Sequence, residues 1–227
     1  MTDHASRRSF FSRLSAGVAA FGLGAGSSQA QTLPTSGFQP ARHPQDDWLD
    51  SLPGKHRMFL DAQTTTGVGE AIAFASNVFL GNKNGYDLND ADVAIVICLR
   101  HFATPFAYTD AIWSKYGGAM GGFLKFDDPK TKKAPTLNVY NTTGYNELLL
   151  NRNIPLEALA KRGVHFAVCS LASRLQSSII ARAHGIAQED AMKEIAANLI
   201  PNGHLVPAGV VALNRAQERG YTFMYVG

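Results

Sequence analysis

Cysteine is nearly absent from this sequence. Its only two, Cys98 and Cys169 in 227 residues, are too few for a disulfide scaffold and lack the paired spacing of a zinc site. Excess charge of one sign is missing too. Three of the 21 Lys+Arg residues fall in the first 30 positions, and beyond them 18 basic groups face 17 acidic ones. No basic stripe interleaved with aromatics remains, which argues against a nucleic-acid partner. No apolar run reaches the roughly 20 residues that a membrane-spanning helix requires. The glycine-containing turn "TTTGVGEA", residues 64–71, lacks both the phosphate-loop lysine and the full dinucleotide fingerprint. A plain helix cap by Thr66 is expected there. No cofactor and no metal centre are expected from these patterns.

The N-terminus holds an address rather than a fold. "SRRSFFSRL", residues 6–14, puts Arg7 and Arg8 before aromatics and a leucine. A weakly apolar Gly/Ala run and the small residues "SSQA" follow, the order of a twin-arginine export signal. Cleavage is expected after Ala30, leaving no membrane anchor and delivering the protein to an oxidising periplasm. Residues 31–54 carry prolines and no apolar periodicity, so they read as an extended arm. Trp48 and Leu49 are expected to pin it to the body or to a neighbouring subunit.

From residue 55 to 227 strand-length apolar runs alternate with amphipathic stretches. Strands are expected at 56–62, 92–99, 164–169, 204–209 and 221–226, with "DVAIVICL" apolar on both alternating faces like a central parallel strand. Helices are expected at 67–85, 105–118, near 145–152 and 155–163, and at 172–185, 188–200 and 210–220. Residues 119–141 read as an irregular insertion. This alternation predicts an α/β fold: a three-layer α/β/α sandwich around a mostly parallel five-stranded sheet.

Ligands in such sheets bind at the carboxyl ends of strands. Cys169 stands at one of these ends with a helix directly after it. The unpaired N–H groups and positive dipole end of that helix favour a thiolate, the form that attacks or carries sulfur. Arg174 is near enough in sequence to add positive field. "CLRHFATPFAY", residues 98–108, supplies a second set: Arg100, His101 and Thr104, at a strand end and helix start, form a site for an anion. Cys98, in mid-strand, is expected to be buried and inert. His165 and His204 show no ligand spacing.

Two segments, "LAKRGVHFAVCSLASRLQSSIIARAHGI" and "HLVPAGVVALNRAQERGYTFMYV", resemble the DsrE/DsrF-like family of small sulfur-relay proteins. The resemblance covers roughly residues 57–227. It implies that Cys169 accepts persulfide sulfur, that the chain assembles as a homo-oligomer (trimer or hexamer), and that its partners are a small sulfur anion or a thiol-bearing protein. Extra features separate the chain from that family: the export signal, the arm and the insertion. Two functions are therefore in view, a periplasmic sulfur carrier or sulfurtransferase, and a non-catalytic module. The module would hold a ligand, haem or metal near His101, or serve in assembly.

Overall fold

Seven consecutive residues of one strand, Val93–Leu99, are buried on both faces, and the rest of the fold is arranged to cover them. In the computed structural model, which describes residue 37 and residues 39–227, the sequence alternates between helix and strand as its apolar periods dictate. The expected export signal and most of residues 31–38 lie outside the described residues. The elements are α1 (Trp48–Ser51), β1 (His56–Ala62), α2 (Thr65–Tyr86), β2 (Val93–Leu99), α3 (Asp110–Leu124), α4 (Leu156–Lys161), β3 (His165–Cys169), α5 (Ser170–His184), α6 (Gln188–Ala197), β4 (Gly203–Val206), α7 (Gly209–Gln217) and β5 (Thr222–Val226). All five strands are parallel, in the order β4-β3-β2-β1-β5.

That order fixes which face each helix covers. Three crossovers step the same way along the sheet, from β1 to β4, and right-handed connections put α2 to α6 on one face. The β4-to-β5 connection runs back the other way, so α7 belongs on the opposite face. The packing agrees. Ile95, Ile97, Leu99, Phe166 and Val168 share one apolar cluster with Ile72, Trp113, Leu159 and Ile180. Phe59, Val96, Cys98, Ala167 and Val206 share the other with Ala212, Ala216, Leu49 and Leu52.

The second face is covered thinly, and the arm completes it. Residues 40–54 are not a plain extended strap: they contain a 3-10 turn, Pro44–Asp46, and α1. Leu49 is fully buried, and its carbonyl accepts from Arg57 Nη1 at 2.9 Å and Tyr221 Oη at 2.7 Å. Trp48 stacks on His204, ring centroids 4.0 Å apart and 7° from parallel. His204 Nε2 in turn meets His165 Nδ1 at 2.8 Å.

Other departures from the sequence expectation have local causes. The helix expected from residue 105 is a 3-10 turn, His101–Ala107, and the α-helix starts at Asp110. It continues to Leu124 through four glycines, because Gly117 and Gly121 let Pro135 pack where a Cβ would stand only 1.8 and 2.9 Å from it. Residues 145–152 form only a 3-10 turn at Asn146–Leu148. Thr64, not Thr66, caps α2, its hydroxyl accepting from the Gly67 N–H at 2.9 Å. The space beside the glycine turn is taken by the carbonyl of Val226, 2.6 Å from where a Gly67 Cβ would be.

The histidine pair sets a pH dependence. Burial lowers the pKa of His165, and burial together with neighbouring His165 pushes His204 down to about 4. Both rings are thus neutral in the folded protein under conditions where an unfolded chain, with histidines near 6.5, takes up protons. The stability they contribute is complete above that value and is lost as pH falls toward 4. The melting temperature should decline from about pH 6.5 to about pH 4, and His204→Gln should flatten that decline. A slope unchanged in the variant would rule the pair out as its source.

Candidate functional site

The carboxyl ends of β2, β3 and β4 lie side by side, and a cavity of about 310 Å³ opens there. Its walls come from four places: Arg100, His101 and Phe102 after β2; Phe123 at the end of α3; Cys169 and the first two turns of α5; and residues 208–210 at the start of α7. Cys169 is 7% exposed and free. It is also the N-cap residue of α5, which has no side-chain cap, and α7 starts uncapped as well. Two helix N-termini therefore present unpaired N–H groups at this cavity.

Strand register explains the groups beneath it. Asp61 of β1 lies opposite Cys98 of β2, and Cys98 opposite Ala167 of β3. Arg100 and Cys169 stand two residues further along on the same side, as strand alternation requires. Asp61 is 1% exposed, and its carboxylate takes both arms of the Arg100 fork, Nε to Oδ1 at 2.7 Å and Nη2 to Oδ2 at 2.9 Å. Burial, and then the Asp61 carboxylate, push the Cys98 thiol well above its ordinary range. Cys98 is fully buried and stays protonated. On the far side of Cys169, the Tyr108 hydroxyl donates to Ser173 Oγ at 2.9 Å. Burial raises its pKa, which the Ser173 bond partly offsets, so it too remains a neutral donor.

Of the residues expected at the site, Cys169, Arg100 and His101 meet at the cavity. His101 is exposed and its backbone sits at φ 54°, a left-handed conformation that non-glycine residues adopt at a cost. Its ring lies 4.1 Å from that of Phe102. Thr104 is a correction: it is completely buried, and its hydroxyl donates to the Leu99 carbonyl at 3.1 Å, because residues 101–107 turn inward as a 3-10 helix. Arg174 is a second correction. It faces solvent on α5 and is not part of the cavity wall, since position five of a helix points away from its cap residue. The fork of Arg100, expected to hold an anion, is already occupied by Asp61.

Asp61 and Gln176 are the residues the sequence reading missed. A lone acid inside the apolar run "MFLDA" was the signal for Asp61. For Gln176 it was spacing: Ser173, Gln176, Ser177 and Ile180 fall on one helical stripe, and that stripe is the buried one. Gln176 lines the cavity at 1% exposure, and among the described residues its Oε1 has no hydrogen-bond partner. The rest of the wall is apolar, with Phe102, Phe123, Leu171, Leu175 and Val210.

Among the described residues no group of three or more His, Cys, Asp or Glu side chains is placed to hold a metal ion, and no helix is long and apolar enough to cross a membrane. No family model and no curated protein matches the chain. A solved structure that does match is a protein of unknown function from Methanobacterium thermoautotrophicum, 16% identical, covering 75% of this chain and 99% of its own, with a TM-score of 0.38.

Proposed function

We propose that this chain is an exported DsrE/DsrF-like protein that binds or relays reduced sulfur through a persulfide on Cys169. One observation carries the reading: of the two thiols, Cys169 lines an open cavity at a strand-to-helix junction while Cys98 is sealed in the core. In this mechanism the Cys169 thiolate attacks the outer sulfur of a donor R–S–SH. The donor S–S bond breaks, R–S⁻ leaves and takes up a proton from water, and Cys169 holds the sulfane sulfur as a persulfide. A partner thiolate then attacks that outer sulfur and frees Cys169, with no net oxidation. His101 at the cavity mouth orients the donor, and Arg100, braced by Asp61, holds the rim in shape. The working form is a periplasmic homo-oligomer. In support, the outer strand β5 exposes Phe223, Met224 and Tyr225.

Incubation with cysteine persulfide, a donor of the R–S–SH type, followed by intact-mass and peptide analysis tests the relay. Wild type should gain one sulfur on Cys169; Cys98→Ser should still gain it and Cys169→Ser should not. A Cys169 that reacts with a small alkylating agent yet takes no sulfur would sink the idea.

The apolar wall and the unpartnered Gln176 amide also favour a second reading, a non-catalytic module that holds a small ligand in the same cavity. Stoichiometric ligand binding without sulfur transfer would select it.

A further inference from the structure

We propose that the molecule that meets Cys169 is a small organic thiol or persulfide of aryl size with a polar hydrogen-bonding tip, rather than an inorganic sulfur anion. As regards sulfur transfer this rests on the relay reading; the choice of ligand does not.

Three observations select that class. First, charge: an inorganic anion needs a free cation, and the guanidinium at this rim has Nε and Nη2 bound to a buried carboxylate. The pair is close to neutral overall, which leaves only helix N-termini and the exposed His101 to face an anion. Second, surface: the ring of Phe102 meets that of Phe123 edge-on at 5.9 Å, and Leu171, Leu175 and Val210 extend the apolar wall. Such a surface favours a flat apolar body and offers nothing to the oxygens of thiosulfate. A cavity of about 310 Å³ is at the small end of organic-ligand sites.

Third, Gln176 supplies an address at the far end. An amide oxygen buried without a partner is costly in a folded protein, and a water or a ligand group that reaches it removes that cost. Of the four such side-chain atoms among the described residues, Gln176 Oε1 is the one whose residue lines the cavity. Gln176 lies two turns along α5 from Cys169, about 10 Å of helix rise, and helical side chains lean back toward the N-terminus. A sulfur at Cys169 and a hydroxyl or amine at Gln176 therefore stand about one substituted aromatic ring apart. The ring would lie on the apolar wall, its sulfur at the uncapped start of α5. Sulfur moves as described above, with the benzyl-type thiolate as leaving group.

4-Hydroxybenzyl persulfide and thiosulfate are the donors to compare, with Cys169 sulfur uptake read by mass spectrometry. 4-Hydroxybenzyl alcohol, which has no sulfur, reports binding alone by titration calorimetry on Cys169→Ser. Uptake from the benzyl persulfide should exceed that from thiosulfate at least tenfold. The alcohol should bind, and Gln176→Leu should weaken it about tenfold, the loss of one buried hydrogen bond. Gln176→Leu removes an unsatisfied buried polar group, so it should fold. Leu171→Asp, at an exposed site in the first turn where an acid suits the helix dipole, should weaken binding by a similar factor. Thiosulfate uptake matching that of the benzyl persulfide, or no alcohol binding, or binding indifferent to both substitutions, would overturn the assignment. Alcohol binding that depends on Gln176 with no sulfur taken from either donor would uphold the ligand class and remove the relay.

Discussion

Asp61→Ala should destabilise the protein by about 3–5 kcal/mol, the usual cost of stripping one partner from a buried ion pair. The carboxylate is 1% exposed and holds the Arg100 guanidinium by two hydrogen bonds. Removing it strands a cation whose side chain is itself only 19% exposed. With urea m-values of about 1–3 kcal/mol/M, the unfolding midpoint should fall by roughly 2 M. Asp61→Ala/Arg100→Met, which removes both charges, should recover most of the loss, because an apolar pair often replaces a buried ion pair at little cost. A single variant within 1 kcal/mol of wild type would show that the pair does not brace the rim. Asp61→Asn adds a functional sign: it frees the guanidinium charge, so sulfur uptake from thiosulfate should rise while uptake from an apolar donor should not.

Gly209→Ala is the second large effect. An added Cβ would lie 2.7 Å from Arg100 Cβ, 2.9 Å from its Cδ and 2.9 Å from Cys98 Sγ, all shorter than van der Waals contact. The start of α7 must then lift away from β2, at about 1–3 kcal/mol for overpacking of this kind. The lift uncovers the thiol beneath. Cys98, sealed in wild type, should become reactive to iodoacetamide under native conditions, while Cys169 labels as before. Unchanged stability with Cys98 still inert would mean that α7 is not its lid.

Much of this architecture was legible because it is written in local periods. A double-faced apolar run marks β2, and the strand–cysteine–helix junction at residue 169 follows from the end of one period and the start of another. What escaped depended on distant neighbours. Asp61 and Arg100 meet across 39 residues, and only parallel register brings them together. Arg100 consequently read as a free anion fork. Thr104 misled because a Thr-Pro step reads as a helix start, whereas here it is the inward turn of a 3-10 segment. The glycines of α3 read as a stop, since a missing side chain looks the same in sequence whether it frees the backbone or admits a neighbour; Gly117 and Gly121 admit Pro135.

The position of β5 also has a kinetic meaning. Among the described residues it pairs only with β1, and the hydroxyl of Thr222 donates to the Arg57 carbonyl 165 residues away. Compared with the 39-residue closure at Asp61 and Arg100, this is about two doublings of loop length, or about 1.2 kcal/mol of closure entropy. The thermodynamic toll is small, but the contact forms slowly, because long-range parallel pairing waits on the elements between. The strand that bears Phe223, Met224 and Tyr225 thus docks late, and until it does the edge of β1 stays open to the same segment of another chain.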